Sequence, residues 1–167
     1  VIGWNFHPEM LSRLEETASE AGLPFEAVDL DQLGAQADVI ISITSSFDPI
    51  INRAQVSAGT HLACMGTDTI GKQEVDVDLV AAASVFTDEV AQSLSIGEAQ
   101  HAFAKGLISQ QDVVSIGSVI NGDHRGRVSA DEITLFDGTG VGLQDLAVAS
   151  VAADLAEKQG LAIQVEL

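Results

Sequence analysis

The segment from Gly66 to Glu74 holds the residues best suited to proton chemistry. It follows an apolar run that predicts a β-strand, and Asp68 comes two residues after the glycine. A carboxylate at the end of a parallel strand can take or give protons at a bound substrate. Lys72, four residues later, is a cation for phosphate or carboxylate. The spacing alone favours the simpler alternative, in which Asp68 caps a turn and Lys72 is a solvated surface cation.

A glycine-rich turn from Gly138 to Gly142 follows a predicted strand and opens the longest predicted helix. This context resembles a dinucleotide phosphate loop, whose pattern is G-x-G-x-x-G/A. Leu143 stands where that pattern needs a small residue to let the helix pack on the strand, and the acidic residue that should follow the next strand, Glu166, is second from the end of the chain. We therefore predict a tight turn that brings backbone N–H groups near a ligand.

Other polar residues support fewer hypotheses. The hydroxyls of Thr44, Ser45 and Ser46 could bind a ribose or a phosphate, but turn formation before Pro49 explains them equally well. Cys64 lies in an apolar strand, which favours an inert buried thiol over a nucleophile. The four histidines show none of the spacings of metal sites, so we predict no metal: His7, His61, His101 and His124.

Short apolar strands alternate with helical patterns along the chain, which predicts an α/β fold with a mainly parallel sheet. The predicted strands are 1–5, 25–28, 37–43, 60–65, 84–87, 133–136 and 162–167. Helices are predicted from residue 8, over 77–83, in parts of 89–105, over 112–120 and over 143–159. Because ligands of such sheets bind beyond the carboxyl ends of the strands, one crevice should be lined by Asn5, Thr44–Ser46, Gly66–Asp68 and Asp88.

The composition narrows the function classes. The 167 residues suit one domain, and 7 Lys and Arg against 25 Asp and Glu give a net charge of −18. This charge argues against binding to nucleic acid or anionic lipid, and no apolar run is long enough for a membrane span. The acidity fits either a salt-adapted surface or part of a larger protein with basic residues elsewhere. A single cysteine and no secretory signal fit a reducing compartment, so we expect a cytoplasmic protein.

An ordered series of short motifs carries a family resemblance. The strongest are G-T-D-T-I-G-K-Q-E at 66–74 and T-L-F-D-G-T-G-V-G-L-Q-D-L at 134–146. Further matches along nearly the whole chain are A-D-V-I at 37–40, T-S-S at 44–46, Pro49, G-T-H at 59–61, Asp88, G-E at 97–98, Gly106 and G-R at 126–127. This series resembles the ornithine cyclodeaminase/mu-crystallin family, which binds NAD(H) or NADP(H) in a Rossmann domain and acts on amino acids or their imines.

The resemblance implies a particular architecture. The chain, which starts at Val1 inside an apolar run, resembles only the later part of the family, so we expect a fragment. Residues 1–126 would form a partial, doubly wound Rossmann domain, entered at its second strand, and 127–167 a C-terminal helix and strand that return toward an absent N-terminal domain. In the common order 3-2-1-4-5-6, the first strand would lie between 1–5 and 37–43, and its phosphate loop would be absent. The whole protein is expected to be a homodimer.

The resemblance also implies roles for residues that match the family's motifs. Asp68 corresponds to the catalytic acid/base beside the substrate α-carbon. Thr139 would contact the substrate, because the Gly138–Thr139 turn closes over the nicotinamide. The expected cofactor-binding residues are Asn5, Thr44, Ala63, Cys64, Met65, Lys72 and Gly138. Asn5 stands where an acidic residue would grip the adenosine 2′-hydroxyl, so the cofactor is expected to be NAD, with NADP left open.

The implied activity is that of an NAD(P)-dependent enzyme acting on a small amino acid or imine. An ornithine cyclodeaminase reaction, from ornithine to proline with release of ammonia, is the first expectation. The alternatives are an alanine dehydrogenase, a ketimine or pyrroline-2-carboxylate reductase, and a non-catalytic NADPH-binding protein of the crystallin type. The 167 residues alone are expected to be inactive.

Overall fold

The computed structural model describes residues 1–163 and 165. The strands are β1 (Ile2–Gly3), β2 (Glu26–Ala27), β3 (Val39–Ser42), β4 (His61–Cys64), β5 (Ser84–Thr87), β6 (Val113–Ser115) and β7 (Thr134–Asp137). The α-helices are α1 (Leu11–Glu20), α2 (Leu30–Gln36), α3 (Val77–Ala82), α4 (Val90–Ser95), α5 (Gln100–Ala104), α6 (Ile116–Ile120) and α7 (Gly142–Lys158). Short 3₁₀ helices cover Pro8–Met10, Arg53–Gln55 and Gln110–Asp112.

Five strands form one parallel sheet in the order β3-β4-β7-β5-β6, and β1 and β2 pair in parallel as a separate ribbon. The predicted α/β class with a parallel sheet is therefore confirmed. The predicted boundary after residue 126 falls in the loop before β7, and β7 itself lies at the centre of the sheet, between β4 and β5. The segment that follows the predicted boundary thus contributes the middle strand of the same sheet.

The facing edges of β1 and β3 pair with no strand among the described residues. A cavity of 480 Å³ lies between them, lined mainly by aliphatic side chains of both strands and of α2. Ile41 and Ile43, on and just after β3, are 70% and 75% exposed. This arrangement, with β1 paired only to β2 and β3 paired only to β4, matches the predicted order in which one more strand separates the two.

One row of side chains across the sheet forms the centre of the core. The register aligns five aliphatic residues, all at most 5% exposed: Ile40, Leu62, Leu135, Val85 and Val113. Two positions further along each strand, on the same face, the register aligns polar or thiol side chains: Ser42, Cys64, Asp137, Thr87 and Ser115. Because side chains alternate with a period of two, the strands carry an apolar core row followed by a polar row at their carboxyl ends.

Two predicted elements differ from the structure. The helix expected over 112–120 begins only at Ile116, because Val113 and Val114 pair with β5 as strand β6. Neighbouring β-branched residues at a sheet edge favour an extended backbone over a helix. The strand expected over 162–167 falls partly on residues outside the described ones, and Ala162 and Ile163 are not in a strand.

Within the described part of the chain, no helix has the length and apolarity needed to span a membrane.

Candidate active site

The carboxyl ends of β3 and β4 are tied together by the buried carboxylate of Glu74. It accepts hydrogen bonds from the Ser42 hydroxyl at 2.9 Å, from the Thr44 N–H at 2.6 Å and from the Gly66 N–H at 3.0 Å. A Cβ atom at Gly66 would lie 2.2 Å from the Thr44 carbonyl oxygen, so the two backbone segments approach too closely for any residue other than glycine. The predicted crevice residues at these two strand ends are thus neighbours.

Asp68 and Lys72 form an ion pair at the mouth of this crevice. Lys72 Nζ lies 2.7 Å from Asp68 Oδ1 and 3.2 Å from the Gly66 carbonyl oxygen. The Lys72 side chain is only 18% exposed, so it is not the solvated surface cation of the simpler alternative, whereas Asp68 is 59% exposed. The hydrogen bond from Lys72, assisted by the Thr69 hydroxyl, lowers the pKa of Asp68. Asp68 is therefore a solvent-accessible, ionised carboxylate at neutral pH.

The Gly138–Gly140 turn is held by Asp88, which follows β5. Asp88 accepts hydrogen bonds from the Thr139 N–H at 3.1 Å and from the Gly140 N–H at 2.9 Å. These N–H groups bind a carboxylate of the same chain, so they do not point at a ligand as the sequence analysis predicted, because Asp88 already accepts their hydrogen bonds. Gly140 has φ of +74°, a conformation that favours glycine. Hydrogen bonds to the turn lower the pKa of Asp88, although its partial burial acts in the opposite direction.

Gly138 and Thr139 in this turn are both buried. The Thr139 hydroxyl is 2.6 Å from Asp88 Oδ1 and 2.8 Å from Gln92 Oε1, and the residue is 4% exposed. Because the Thr139 N–H and hydroxyl both bind within the chain, any contact of Thr139 with a substrate would use its carbonyl oxygen. Gly138 donates its N–H to the Cys64 carbonyl oxygen at 2.9 Å, and an added Cβ would lie 2.6 Å from the Met65 sulfur.

The three residues predicted at the end of β4 face different surroundings. Cys64 is fully buried on the core face, where burial raises the pKa of its thiol, as expected for an inert cysteine. Ala63 points to the opposite face of the sheet and is half-buried, and Met65 is 42% exposed beside Gly138. Ala63 and Met65 can reach a ligand with their side chains, whereas Cys64 can do so only through its backbone.

A second part of the crevice opens between the ends of β1 and β3. Its cavity of 450 Å³ is lined by residues 4–7 and 43–46. The exposed Asn5 accepts a hydrogen bond from the His7 N–H at 2.8 Å, and the Thr44 hydroxyl accepts one from the Ser46 N–H at 3.3 Å. The amide of Asn5 and the hydroxyls of Thr44 to Ser46 border this cavity, and groups of these types can form hydrogen bonds with the hydroxyls of a ribose.

Away from this crevice, a further cavity lies at the opposite edge of the sheet. A cavity of 540 Å³ lies at the amino ends of β3, β4 and β7, but it is lined by none of the predicted site residues and mostly by apolar atoms. In the part of the chain that the structure describes, no group of His, Cys, Asp and Glu is arranged to hold a metal ion. The residues that the sequence analysis left without a role are the buried anchors Glu74 and Glu98 and the amide of Gln100, whose partners are distant in sequence.

Comparisons with known proteins match the chain to one family. The model of the ornithine cyclodeaminase/mu-crystallin family matches residues 1–160. An iminosuccinate reductase of Paracoccus denitrificans is 64% identical over all 167 residues, which cover 52% of its length. Its crystal structure in complex with NAD⁺ superposes with a TM-score of 0.96 over the whole chain. The chain thus spans about half the length of this relative.

More distant relatives carry other activities. An alanine dehydrogenase of Archaeoglobus fulgidus is 38% identical over 133 residues, which are 79% of this chain and 41% of that protein. An archaeal alanine dehydrogenase, solved as a dimer with bound NAD, gives a TM-score of 0.95 at 31% identity and is covered to 52%. A lysine cyclodeaminase structure is 25% identical with a TM-score of 0.85, over 99% of this chain and 48% of that one.

Proposed function

The chain belongs to the ornithine cyclodeaminase/mu-crystallin family, and from that premise we propose that the whole protein is an NAD-dependent reductase of a small imino acid, with iminosuccinate as the first candidate substrate. The observation that carries the proposal is the 64% identity to an iminosuccinate reductase along the full length of the chain. Relatives named as cyclodeaminases are less similar, at 35% and 25% identity, so the reductase takes the place of the ornithine reaction as the preferred function.

The reaction reduces a C=N bond to an amine. When bound, the nicotinamide cofactor supplies a hydride to the imine carbon, and the nitrogen must carry a proton for the charge to balance. Iminosuccinate would then give aspartate. A cyclodeaminase would need further steps, in which a second amine attacks the imine carbon and ammonia leaves.

Asp68 is proposed to act at the substrate nitrogen. The hydrogen bond from Lys72 lowers the pKa of Asp68, and its ionised carboxylate would stabilise the protonated, cationic form of an imine by Coulombic attraction. In the oxidative direction the same carboxylate can accept a proton from the substrate ammonium. Lys72 is predicted to contact the cofactor, and in this structure its ammonium already contacts Asp68. We therefore propose that Lys72 sets the charge of Asp68 as well.

The cofactor is proposed to lie along the carboxyl ends of the strands. Asn5 and Thr44 would hold the adenosine ribose, while Ala63, Met65 and the backbone of Gly138 would border the nicotinamide. NAD is preferred over NADP because the carboxylate of Glu9 lies 3.7 Å from the His7 ring, close in sequence to Asn5. An acidic neighbour disfavours the binding of a 2′-phosphate next to it.

The proposal is tested on the whole protein by following the oxidation of NADH. Oxaloacetate with ammonia supplies iminosuccinate, pyruvate with ammonia tests the alanine dehydrogenase activity, and pyrroline-2-carboxylate tests the third class. We expect fastest turnover with the first mixture and with NADH rather than NADPH. Turnover of ornithine with release of ammonia would overturn the proposal, and so would tight NADH binding with no turnover, which is the crystallin-like outcome.

Three further expectations belong to the same proposal. The whole protein is proposed to be a homodimer in the cytoplasm, which sedimentation and cell fractionation test. The 167 residues alone are proposed to be inactive, because the residues of the described crevice offer sites for the ribose and the nicotinamide but no glycine loop for the pyrophosphate. Calorimetry that shows micromolar binding of NADH to the isolated chain would contradict this.

A further inference from the structure

The loop that carries Asp68 and Lys72 rests against the start of α5. Its two ends are held by one carboxylate, because Glu98 accepts hydrogen bonds from the Thr67 hydroxyl at 2.5 Å and from the Glu74 N–H at 2.9 Å. The middle of the loop, residues 69–72, turns through Gly71 with φ of +90°. This turn decides where the side chain of Lys72 begins relative to Asp68.

Gln100 is the side chain that holds this turn. Its Oε1 accepts a hydrogen bond from the Gly71 N–H at 2.8 Å, and its Nε2 lies 3.3 Å from the Thr69 carbonyl oxygen and 3.2 Å from that of Lys72. The same nitrogen is 3.1 Å from the Ile96 carbonyl oxygen and 3.0 Å from that of Gly97. Gln100 is 7% exposed, so these polar groups would be left without water if the amide were removed.

The chemistry of the side chain fits the place. A carboxamide is uncharged and offers both an acceptor and two donors, which is what a turn with one inward N–H and two inward carbonyl oxygens requires. A carboxylate would supply no donor, and an ammonium no acceptor. The hydrogen bonds of Gln100 thus connect the start of α5 to the backbone of residues 69–72. They are separate from the ion pair between the side chains of Asp68 and Lys72.

We propose that Gln100 is a positioning residue for the reaction, acting through the backbone of residues 69–72 to set the Asp68–Lys72 ion pair. The inference rests on the proposed role of Asp68. Other charged or titratable groups near the loop are His101, whose Nε2 lies 3.2 Å from the Lys72 carbonyl oxygen, and the buried carboxylates Glu74 and Glu98. The hydrogen bonds found for the Gln100 amide go to backbone groups and not to these three side chains.

A double-mutant cycle on the whole protein separates positioning from general stability. We expect Gln100→Met, which keeps the length of the side chain and removes its hydrogen bonds, to lower kcat by about tenfold or more. In a Lys72→Met background the same change should lower kcat by less than about threefold, because the ion pair it sets is already lost. Gln55→Met is the matched control, since that half-buried amide bonds Asp31, far along the chain from the loop. Its effect should be the same in both backgrounds.

The outcomes are distinguishable. An equal loss from Gln100→Met in both backgrounds, or a lower unfolding midpoint with unchanged kcat, would overturn the inference. If Gln100→Met does not fold, Gln100→Glu replaces it in the cycle, because it keeps the acceptor for the Gly71 N–H, although it loses the donors and adds a carboxylate. Asp68→Asn is assayed alongside. Full turnover in that variant would refute the proposed role of Asp68 itself, whereas an inactive Asp68→Asn with additive Gln100 effects would refute only the inference.

Discussion

Asp88 and Thr139 are 51 residues apart in sequence, yet their side chains meet at 2.6 Å, with the Thr139 hydroxyl against Asp88 Oδ1. The other carboxylate oxygen accepts the N–H of Gly140 at 2.9 Å. These contacts join the end of β5 to the turn that follows β7, and β7 pairs with β5 along its length. The turn proposed to border the nicotinamide therefore has its shape fixed by a carboxylate outside it.

Replacing Asp88 with Asn should destabilise this turn. An asparagine keeps one acceptor but presents an NH₂ group to one of the backbone N–H groups, so a hydrogen bond to a charged acceptor is lost. We expect a loss of about 1–3 kcal/mol in the free energy of unfolding, measured by urea denaturation of the whole protein, and a raised KM for NADH. Glu89→Gln is the control, because the Glu89 carboxylate accepts from the Ala91 N–H at the start of α4 and from no other donor among the described residues. Equal losses in both variants would contradict the assignment.

Gly97 should not tolerate alanine. A Cβ atom there would lie 2.5 Å from Asp137 Oδ2, 2.7 Å from the Ser93 Cα and 2.8 Å from a methyl carbon of Thr139. Overpacking of this kind should cost about 1–3 kcal/mol, visible as a lower unfolding midpoint. Gly142→Ala is the matched control, since a Cβ at Gly142 meets nothing within 4 Å. A destabilisation of the Gly142 variant as large as that of the Gly97 variant would show that the packing explanation is wrong.

Lys72→Met should move the pH dependence of the reaction. The hydrogen bond from Lys72 is the main cause that lowers the pKa of Asp68, so its removal should raise that pKa. Because Asp68 is proposed to act ionised, the acidic limb of the kcat/KM profile should shift to higher pH, with a lower rate as well. Lys105→Met, at the end of α5, is the control and should leave the profile in place. An unmoved acidic limb in Lys72→Met would remove Lys72 from this role.

Glu98 should make the folded state less stable as pH rises. Burial raises its pKa from 4.5 to about 7, and burial likewise raises the pKa of Asp137 to about 6. Between pH 4.5 and about 7, Glu98 in the folded protein retains a proton that the unfolded chain has released. The free energy of unfolding therefore falls as pH rises through this range. His61, whose pKa is lowered by burial, works in the opposite direction below the ordinary histidine pKa of 6.5.

Glu98→Gln isolates the contribution of this one group. The amide can still accept the Glu74 and Val75 N–H groups and can donate to the Thr67 hydroxyl, so the packing is preserved. Urea midpoints at about pH 5 and about pH 8 should show the wild type losing stability relative to Glu98→Gln as pH rises. Glu16→Gln, an exposed site on α1, should give a difference that does not depend on pH. If the difference between wild type and Glu98→Gln also did not depend on pH, the Glu98 carboxyl of the folded protein would be ionised from about pH 5 to about pH 8, and the prediction would be wrong.

The sequence by itself determined the alternation of strands and helices, the apolar run of each strand and the polar residues that follow. These are local properties, because a period-two or period-3.6 pattern extends over few residues. It also showed, through Leu143, that the 138–142 turn is no ordinary phosphate loop. The ordered motifs carried the family and placed Asp68 and Lys72 on one loop, four residues apart.

Only the tertiary structure decided which of these residues meet. The insertion of β7 between β4 and β5 brings residue 137 beside residues 64 and 87, and no local pattern records that pairing. The roles of Glu74, Asp88, Glu98 and Gln100 arise from contacts between residues up to 52 positions apart. A carboxylate or amide in the sequence looks the same whether it faces water or closes a loop. The difference is set by burial and by partners that the fold supplies.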